Sequence, residues 1–226
     1  MTEQQAVIQG DGRAWAPCVI EHEDLYYMYY GPSPTKCAES FELGHWMGAP
    51  VNLMDAPPLS AHRDHMVMKL DDGSFVMYVV GVHNKYGCVS SFVSKDLKNW
   101  TFSGYALTAS GNAPLHCGWG AFESPYVVKY EGLYYLFITY TDSCYHPETY
   151  EDTLVFCSED PLHFGDYNGD NHKDIVLAEL KEHAGEVVFD EDSGKWYVTA
   201  CGWNGRGIPI EGAASIAELS WEEIKE

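Results

Sequence analysis

The sequence predicts an all-β fold, a β-propeller built from repeated units of about four strands. Aromatic residues make up 14% of the 226 residues, with 16 Tyr and 7 Trp, and they occur together with 21 Gly and 11 Pro. This composition favours short strands joined by turns. A hairpin-like unit also recurs with a period of about 40 to 60 residues, which is typical of propeller blades. We therefore expect a single β-propeller domain over residues 1–226.

Each repeated unit has a two-residue polar or aromatic start, an apolar strand, an acidic or glycine-containing turn, and an aromatic strand. The clearest copy is AFESPYVVKYEGLYYLFITY at 121–140, in which Glu131-Gly132 forms the hairpin turn. The second halves repeat as well, and Phe164 replaces the usual Trp in the third copy. These second halves span 40–53, 94–107, 158–177 and 213–224. The four units begin near Trp15, Arg63, Glu123 and His183.

The repeat predicts one shared site. The innermost strand of each propeller blade runs along the central channel, so the first residues of all units meet at one mouth. Asp64 and Glu123 would then face each other across an aromatic-walled channel. A glycosidase needs such a pair of carboxyl groups. A carboxyl shielded from water has a raised pKa and stays protonated near neutral pH, as a general acid requires.

Other channel residues suit sugar recognition. Arg63 could hold Asp64 ionised or bind a sugar hydroxyl, and His183 could bind substrate or organise a central water or cation. Each also has a structural interpretation, as a local ion pair, a strand cap or a packing residue. The shared position in the repeat favours the functional interpretation. Rings that could stack on a sugar are Trp15, Trp119 and Tyr126.

The units WAPCVIEHEDLYYMYYG, RDHMVMKLDDGSFVMYVVG and FESPYVVKYEGLYYLFITY resemble consecutive blades of five-bladed glycoside hydrolases, families 43 and 62 and the related families 32 and 68. RDH is similar to the Arg-Asp-Pro motif of those families, which implies that Asp64 stabilises the transition state or tunes a neighbouring pKa. ESP is similar to their Glu-Gly-Pro or Glu-Cys-Pro motif, which implies that Glu123 is the general acid. HAGEVV resembles the last blade, whose His183 would point into the channel.

The chain departs from this resemblance at one position. Those families place a third acid, the base or nucleophile, at the start of a first blade, whereas the first unit here carries Ala16-Pro17. Residues 6–8 would be the last strand of a missing first blade, or would close the fourth blade into a complete ring. Asp11 is the nearest acid that could substitute. Four or five blades, and retaining or inverting chemistry, both stay open.

Three functions remain in competition. The first is hydrolysis of a neutral oligosaccharide or polysaccharide of the arabinoside, xyloside or fructoside class, with no required cofactor. The second is a non-catalytic carbohydrate-binding propeller that lacks the base, and the third is a structural or protein-binding propeller. Phosphorolysis is disfavoured because only three Arg could cradle phosphate. These are Arg13, Arg63 and Arg206.

The net charge and the search for targeting signals limit the binding partners and the cellular location that we expect. The chain has 34 acidic and 13 basic residues, a formal charge of −21, which repels nucleic acid and anionic membranes. Seven Cys without a CxxC pair favour a reducing compartment. The N-terminus lacks a signal peptide and no apolar run reaches the roughly 20 residues of a membrane span. We expect a cytoplasmic protein from the sequence as given, with secretion left open for a longer N-terminus.

A second candidate site lies in DYNGDNHKD. Its D-x-N-x-D pattern resembles a calcium loop, but the glycine is misplaced and position twelve is Leu177. A solvated acidic loop is therefore the favoured interpretation, and a structural Ca²⁺ is the alternative. The candidate ligands are Asp166, Asn168, Asp170 and Asp174.

Overall fold

Four β-sheets follow one another along the chain, and the first strand of each begins close to a predicted repeat start. The computed structural model describes residues 13–57, 60–115, 121–141, 152–201 and 214–223. Residues 6–8, Asp11 and Trp119 lie outside these ranges, so the predictions made for them are not addressed by the described structure. Among the described residues, no helix is long and apolar enough to cross a membrane.

The first sheet is formed by the unit that begins at Trp15. Its strands pair in chain order and antiparallel. The turn between the first two strands is Glu23-Asp24, with φ of 52° and 61°; two successive positive φ values match the twist of a tight hairpin. The strands are β1 (Trp15–His22), β2 (Leu25–Gly31), β3 (Lys36–Ser40) and β4 (Met47–Ala49).

The second sheet contains the most deeply buried strands. Its innermost strand contains the RDH motif, and the next strand is buried along almost its whole length. The order from the inside is β6, β7, β8 and β9, and β5 pairs parallel to the start of β9. The strands are β5 (Asn52–Met54), β6 (Ser60–Lys69), β7 (Phe75–His83), β8 (Tyr86–Ser94) and β9 (Asn99–Ala109).

The third sheet includes the opening hairpin of the 121–140 unit. It is ordered β10, β11, β12 and β14. The strand β13 leaves this unit and pairs parallel to the end of β9, which ties the third unit to the second sheet. The elements are β10 (Phe122–Tyr130), β11 (Leu133–Tyr140), β12 (Asp152–Ser158), β13 (Gly165–Tyr167), α1 (His172–Ile175) and β14 (Ala178–Leu180).

The fourth sheet follows His183 and has three described strands in chain order. They are β15 (Glu186–Asp190), β16 (Lys195–Cys201) and β17 (Ala214–Leu219). The innermost strands of successive sheets contact one another in sequence: β1 with β6, β6 with β10, and β10 with β15. This nearly all-β arrangement of four blades confirms the predicted propeller fold.

Apolar side chains on facing sides of neighbouring sheets hold the blades together. Between the first and second sheets, the rings of Tyr29 and Trp100 meet edge to face with centroids 5.6 Å apart. Tyr78 and Phe122 belong to the core between the second and third sheets. Val187 extends the packing to the fourth sheet. Burying large aromatic rings contributes strongly to stability, so the relative placement of the blades is fixed by these cores.

The repeat seen in the sequence has a backbone counterpart at the inner end of each sheet. The second residue of every unit has a positive φ, and the pairing register shifts there in the first three sheets. A bulge with a residue in this conformation bends the strand and redirects the side chains beside it. Four non-glycine residues in a sparsely populated region, at roughly 1–3 kcal/mol each, are typical of functional sites. These residues are Ala16 (42°), Asp64 (56°), Ser124 (50°) and Ala184 (52°).

Candidate active site

Two of the bulged strand ends place three charged side chains next to one another. On β6, Arg63 and Asp64 are 4% and 6% exposed. An Asp64 carboxylate oxygen accepts a hydrogen bond from the Ser124 backbone N–H of β10 at 3.0 Å, and lies 3.4 Å from Arg63 Nε. The positive φ of Asp64 and Ser124 thus turns a carboxylate of one blade onto the backbone of the next.

Arg63 also faces the second predicted carboxyl group. Its Nη2 lies 4.0 Å from a Glu123 carboxylate oxygen, and its Nη1 donates to the Ala61 carbonyl at 3.3 Å. One guanidinium group therefore lies between the carboxylates of Asp64 and Glu123. Arginine side chains stay charged in proteins. Arg63 therefore reduces the repulsion between the carboxylates of Asp64 and Glu123.

The two acids have different electrostatic environments. Burial and, to a smaller extent, the charge of Asp64 raise the pKa of Glu123, Arg63 lowers it in part, and the net result is a pKa of about 7. Burial also raises the pKa of Asp64, but Arg63, the Ser124 N–H and the charge of His183 all oppose that rise. Asp64 therefore has more groups that stabilise its ionised form than Glu123 has.

His183 joins the same cluster from the fourth sheet. It is 8% exposed, its charge lowers the pKa of Asp64, and the two residues that follow it, Ala184 and Gly185, line the same cavity as Asp64. The adjacent backbone is anchored, because Ala184 N–H donates to Thr139 Oγ1 at 2.8 Å and Cys201 N–H donates to the His183 carbonyl at 3.0 Å. The structure thus brings together four of the residues selected from the sequence: Arg63, Asp64, Glu123 and His183.

The predicted aromatic residues lie in different environments. Tyr126 lines the channel, and burial raises its pKa to about 12. Trp15 is 41% exposed and lies at the rim, whereas the next four residues of β1, 16–19, line the channel wall. Trp119 is outside the described residues. Tyr126 is therefore the aromatic side chain best placed to contact a molecule in the channel.

A third carboxyl group reaches the channel, from Glu186 on β15. Glu186 occupies the fourth position of its unit, and the other units carry Cys18, Met66 and Tyr126 at that position. All four residues line one cavity of about 480 Å³, together with Asp64. Burial raises the pKa of the Cys18 thiol to about 11 and that of Tyr126 to about 12, and the negative charge of Glu186 adds to both rises across the cavity that the three residues share.

Sequence reasoning missed Glu186 because it considered only the first two residues of each unit. The available signal was the register: position four of each innermost strand lies on one face of the bulged strand, and only the fourth unit has an acid there. Loss of hydration raises the pKa of Glu186. Position four therefore lines the same cavity as Asp64, three residues along each innermost strand from the mouth layer, which is the set Arg63, Asp64 and Glu123.

The side chains of the candidate calcium loop accept hydrogen bonds from residues 108–112 and from the backbone of the loop itself. Asp166 accepts from the Thr108 and Ser110 hydroxyls, and Asp170 accepts from the Asn112 amide. Asn168 Oδ1 instead accepts the backbone N–H groups of Asp170 and Asn171. Within the described ranges, no group of three or more His, Cys, Asp or Glu side chains is arranged to hold a metal. Calcium binding by this loop, including Asp174, stays a prediction.

Comparison with known proteins places the fold. An α-L-arabinofuranosidase from Clostridium thermocellum matches with a TM-score of 0.60 and 18% identity, over 92% of this chain and 69% of that one. An α-L-arabinanase from Cellvibrio cellulosa, complexed with arabinohexaose, matches with a TM-score of 0.65 and 15% identity, over 94% of this chain and 76% of that one. A β-fructofuranosidase from Bombyx mori matches with a TM-score of 0.62 and 18% identity, over 84% of this chain and 43% of that one. These likenesses are in fold.

Sequence comparison supplies the family. Curated protein sequences yield no match to the chain. The profile of "Glycosyl hydrolases family 43" matches residues 56–225, which is most of the sequence and includes the second, third and fourth sheets with their channel residues. The resemblance inferred from the RDH and ESP motifs is thereby confirmed at the level of the superfamily. The chain belongs to family 43 of the glycosyl hydrolases.

Proposed function

We propose that the chain hydrolyses glycosidic bonds of neutral glycans of the arabinoside, xyloside or fructoside class, with Glu123 as general acid. The observation that carries this proposal is the cluster in which Arg63 lies 3.4 Å from Asp64 and 4.0 Å from Glu123, where burial and Asp64 raise the pKa of Glu123 to about 7. A general acid works best when its pKa is near the working pH. The arabinanase that shares this fold is complexed with arabinohexaose, which supports an arabinose-containing substrate as the first to test.

Asp64 has a separate role in this proposal. Its charge raises the pKa of Glu123, and it is itself held by Arg63 and by the Ser124 N–H. A fixed negative charge beside the sugar also stabilises the positive charge that develops on the sugar ring during cleavage. Asp64 therefore keeps Glu123 protonated and stabilises the transition state, while Arg63 limits the repulsion between the two acids.

Leaving-group dependence tests the role of Glu123. A general acid matters most when the leaving group is a poor one, so Glu123→Gln should lose roughly 10²- to 10⁴-fold in kcat on arabino-oligosaccharides. The loss on 4-nitrophenyl α-L-arabinofuranoside should be much smaller, because nitrophenolate leaves without protonation. Asp64→Asn should lose activity on both substrates, and the exposed Glu191→Gln should lose none. Equal losses on both substrates for Glu123→Gln would rule out the acid role.

One observation favours a second candidate, a carbohydrate-binding propeller without turnover. The mouth layer has carboxylates on the second and third sheets, whereas the first sheet presents Ala16-Pro17. Calorimetry with arabinohexaose separates the two functions. Heat of binding with no reducing sugar released after prolonged incubation would favour the binding protein, and release of arabinose would exclude it.

A further inference from the structure

Glu186 lies farther along its innermost strand than the acids of the mouth layer lie along theirs. It follows His183 by the same three positions by which Tyr126 follows Glu123. At about 3.3 Å per residue, less the contribution of a bulge, this places it roughly 7–10 Å farther along the channel. A substrate whose reactive bond lies beside Glu123 would therefore extend its inner sugar unit towards Glu186.

The Glu186 carboxylate has spare hydrogen-bonding capacity. Burial alone accounts for its raised pKa, and among the described residues no cation or backbone N–H is paired with it. Its close neighbours, the Cys18 thiol and the Tyr126 hydroxyl, are weak or neutral partners for a negative charge. Glu186 is exposed on its strand, so its carboxylate is open to a ligand, and hydrogen bonds donated to a charged acceptor are stronger than those to a neutral one.

The surroundings of Glu186 select the kind of ligand. Tyr126 supplies an aromatic face and Met66 an apolar wall, while the carboxylate supplies acceptors for hydroxyl groups. A sugar ring has this combination of an apolar face and hydroxyl donors along its edge. Among the described residues that line the cavity, two are acids, Asp64 and Glu186, and none is Lys or Arg. An anionic sugar, such as a uronate or a sugar phosphate, would therefore be repelled.

From this arrangement we infer that Glu186 is a specificity-determining residue, which accepts hydrogen bonds from hydroxyl groups of a neutral sugar unit on the inner side of the cleaved bond. The inference rests on the proposed function for the position of that bond. It assigns recognition of the inner sugar to the fourth blade and protonation of the leaving oxygen to the third. The sugar unit beside Glu186 must then carry free hydroxyl groups at that point.

Steady-state kinetics and calorimetry together test the role of Glu186. The probes are 4-nitrophenyl α-L-arabinofuranoside and 4-nitrophenyl β-D-xylopyranoside for turnover, and L-arabinose and D-xylose for binding. Losing one or two hydrogen bonds to a charged acceptor corresponds to roughly 10- to 100-fold. Glu186→Ala should therefore raise KM and weaken monosaccharide binding by that factor, with a smaller change in kcat. Glu186→Gln should lose less, because its amide oxygen still accepts.

The controls separate recognition from other roles. Glu191→Gln, at an exposed turn of the same blade, should match wild type, and Tm should show that every variant is folded. A fall in kcat at unchanged KM, restored by azide with Glu186→Ala, would mean that Glu186 is the base or nucleophile and would overturn the inference. Unchanged binding and kinetics in both Glu186 variants would also overturn it.

The inference can fail independently of the proposed function. If wild type binds a monosaccharide but cleaves no glycoside, hydrolysis is refuted, and calorimetry on Glu186→Ala still decides the recognition role. If hydrolysis proceeds normally in Glu186→Ala, hydrolysis stands and the recognition role is refuted. Absence of binding and turnover with all four probes in wild type would refute the role of Glu186 as a receptor for these neutral sugars.

Discussion

Replacing Glu123 by Gln should stabilise the protein at high pH, because the wild-type fold buries a carboxyl group that must ionise there. Burial and Asp64 raise the pKa of Glu123 from 4.5 to about 7. Each unit of such a rise corresponds to about 1.4 kcal/mol, so ionising Glu123 in the folded state costs about 3 kcal/mol. The side chain is 29% exposed, which makes this figure an upper bound. Gln preserves the shape and removes the charge.

The sign of the effect follows from proton linkage. Between pH 4.5 and about 7 the folded protein binds the Glu123 proton more tightly than the unfolded chain does. The stability that this proton contributes is complete below pH 4.5 and is lost as the pH rises through about 7. The Glu123→Gln variant has no carboxyl group to ionise at this position, so it does not lose this stability as the pH rises. The difference in stability between variant and wild type should therefore be near zero at pH 4.5 and should reach its maximum above pH 8.

Thermal unfolding from pH 4.5 to 9 measures this difference. For a chain of this length, 1 kcal/mol corresponds to roughly 2–4 °C in Tm, so the variant should melt several degrees above wild type at pH 8. Glu191→Gln, at an exposed turn, should give a difference that does not vary with pH. A Glu123→Gln variant that melts below wild type at pH 8, or a difference independent of pH, would refute the electrostatic account of this site.

Two further predictions concern the same strand ends and the loop beside them. Because Glu123 must be protonated to act as an acid, kcat/KM should fall as the pH rises through about 7. Arg63→Gln removes the cation that lowers the pKa of Glu123, so it should move this fall in kcat/KM to a pH higher by about one unit or more, compared with Arg63→Lys. A fall at an unchanged pH would contradict the role of Arg63. Gly169 has a φ of +84°, and a Cβ there would lie 2.7 Å from the Asn112 carbonyl carbon. Gly169→Ala should therefore lower the free energy of unfolding, measured in urea, by about 1–3 kcal/mol. Gly194 has a φ of +67°, but a Cβ there would have nothing within 4 Å, so Gly194→Ala should cost less, and equal losses would contradict the close approach at Gly169.

The sequence predicted the parts of the fold that repeat. Arg63, Glu123 and His183 occupy equivalent positions in units of similar length, and the bulges at those positions bring them together as the repeat implied. The parallel strands β5 and β13 were not predicted, because they belong to the second halves of the first and third units and pair with β9 of the second unit across blade boundaries. Pairing of this kind depends on where the blades pack, which no local pattern encodes.

Glu186 illustrates the same limit within the site. Its chemistry differs from that of the residues at the equivalent position, Cys18, Met66 and Tyr126, so comparison of the repeats gives no reason to group them. Only the channel makes them neighbours. Repetition predicts a site well when each unit contributes a similar residue type, and poorly when a single unit contributes the functional group.

The difference between Asp64 and Glu123 determines which one can be the acid. Both lie close to the same guanidinium group, but the Asp64 side chain is 8% exposed and that of Glu123 is 29% exposed, so burial alone would favour the protonated form of Asp64 more strongly. Asp64 additionally accepts the Ser124 N–H and feels the charge of His183, and both interactions favour its ionised form. Glu123 has neither, and the ionised Asp64 beside it favours the protonated form. A strand bulge that points one backbone N–H at Asp64 therefore also favours the protonated form of Glu123 on the same strand, because a charged Asp64 raises the pKa of Glu123.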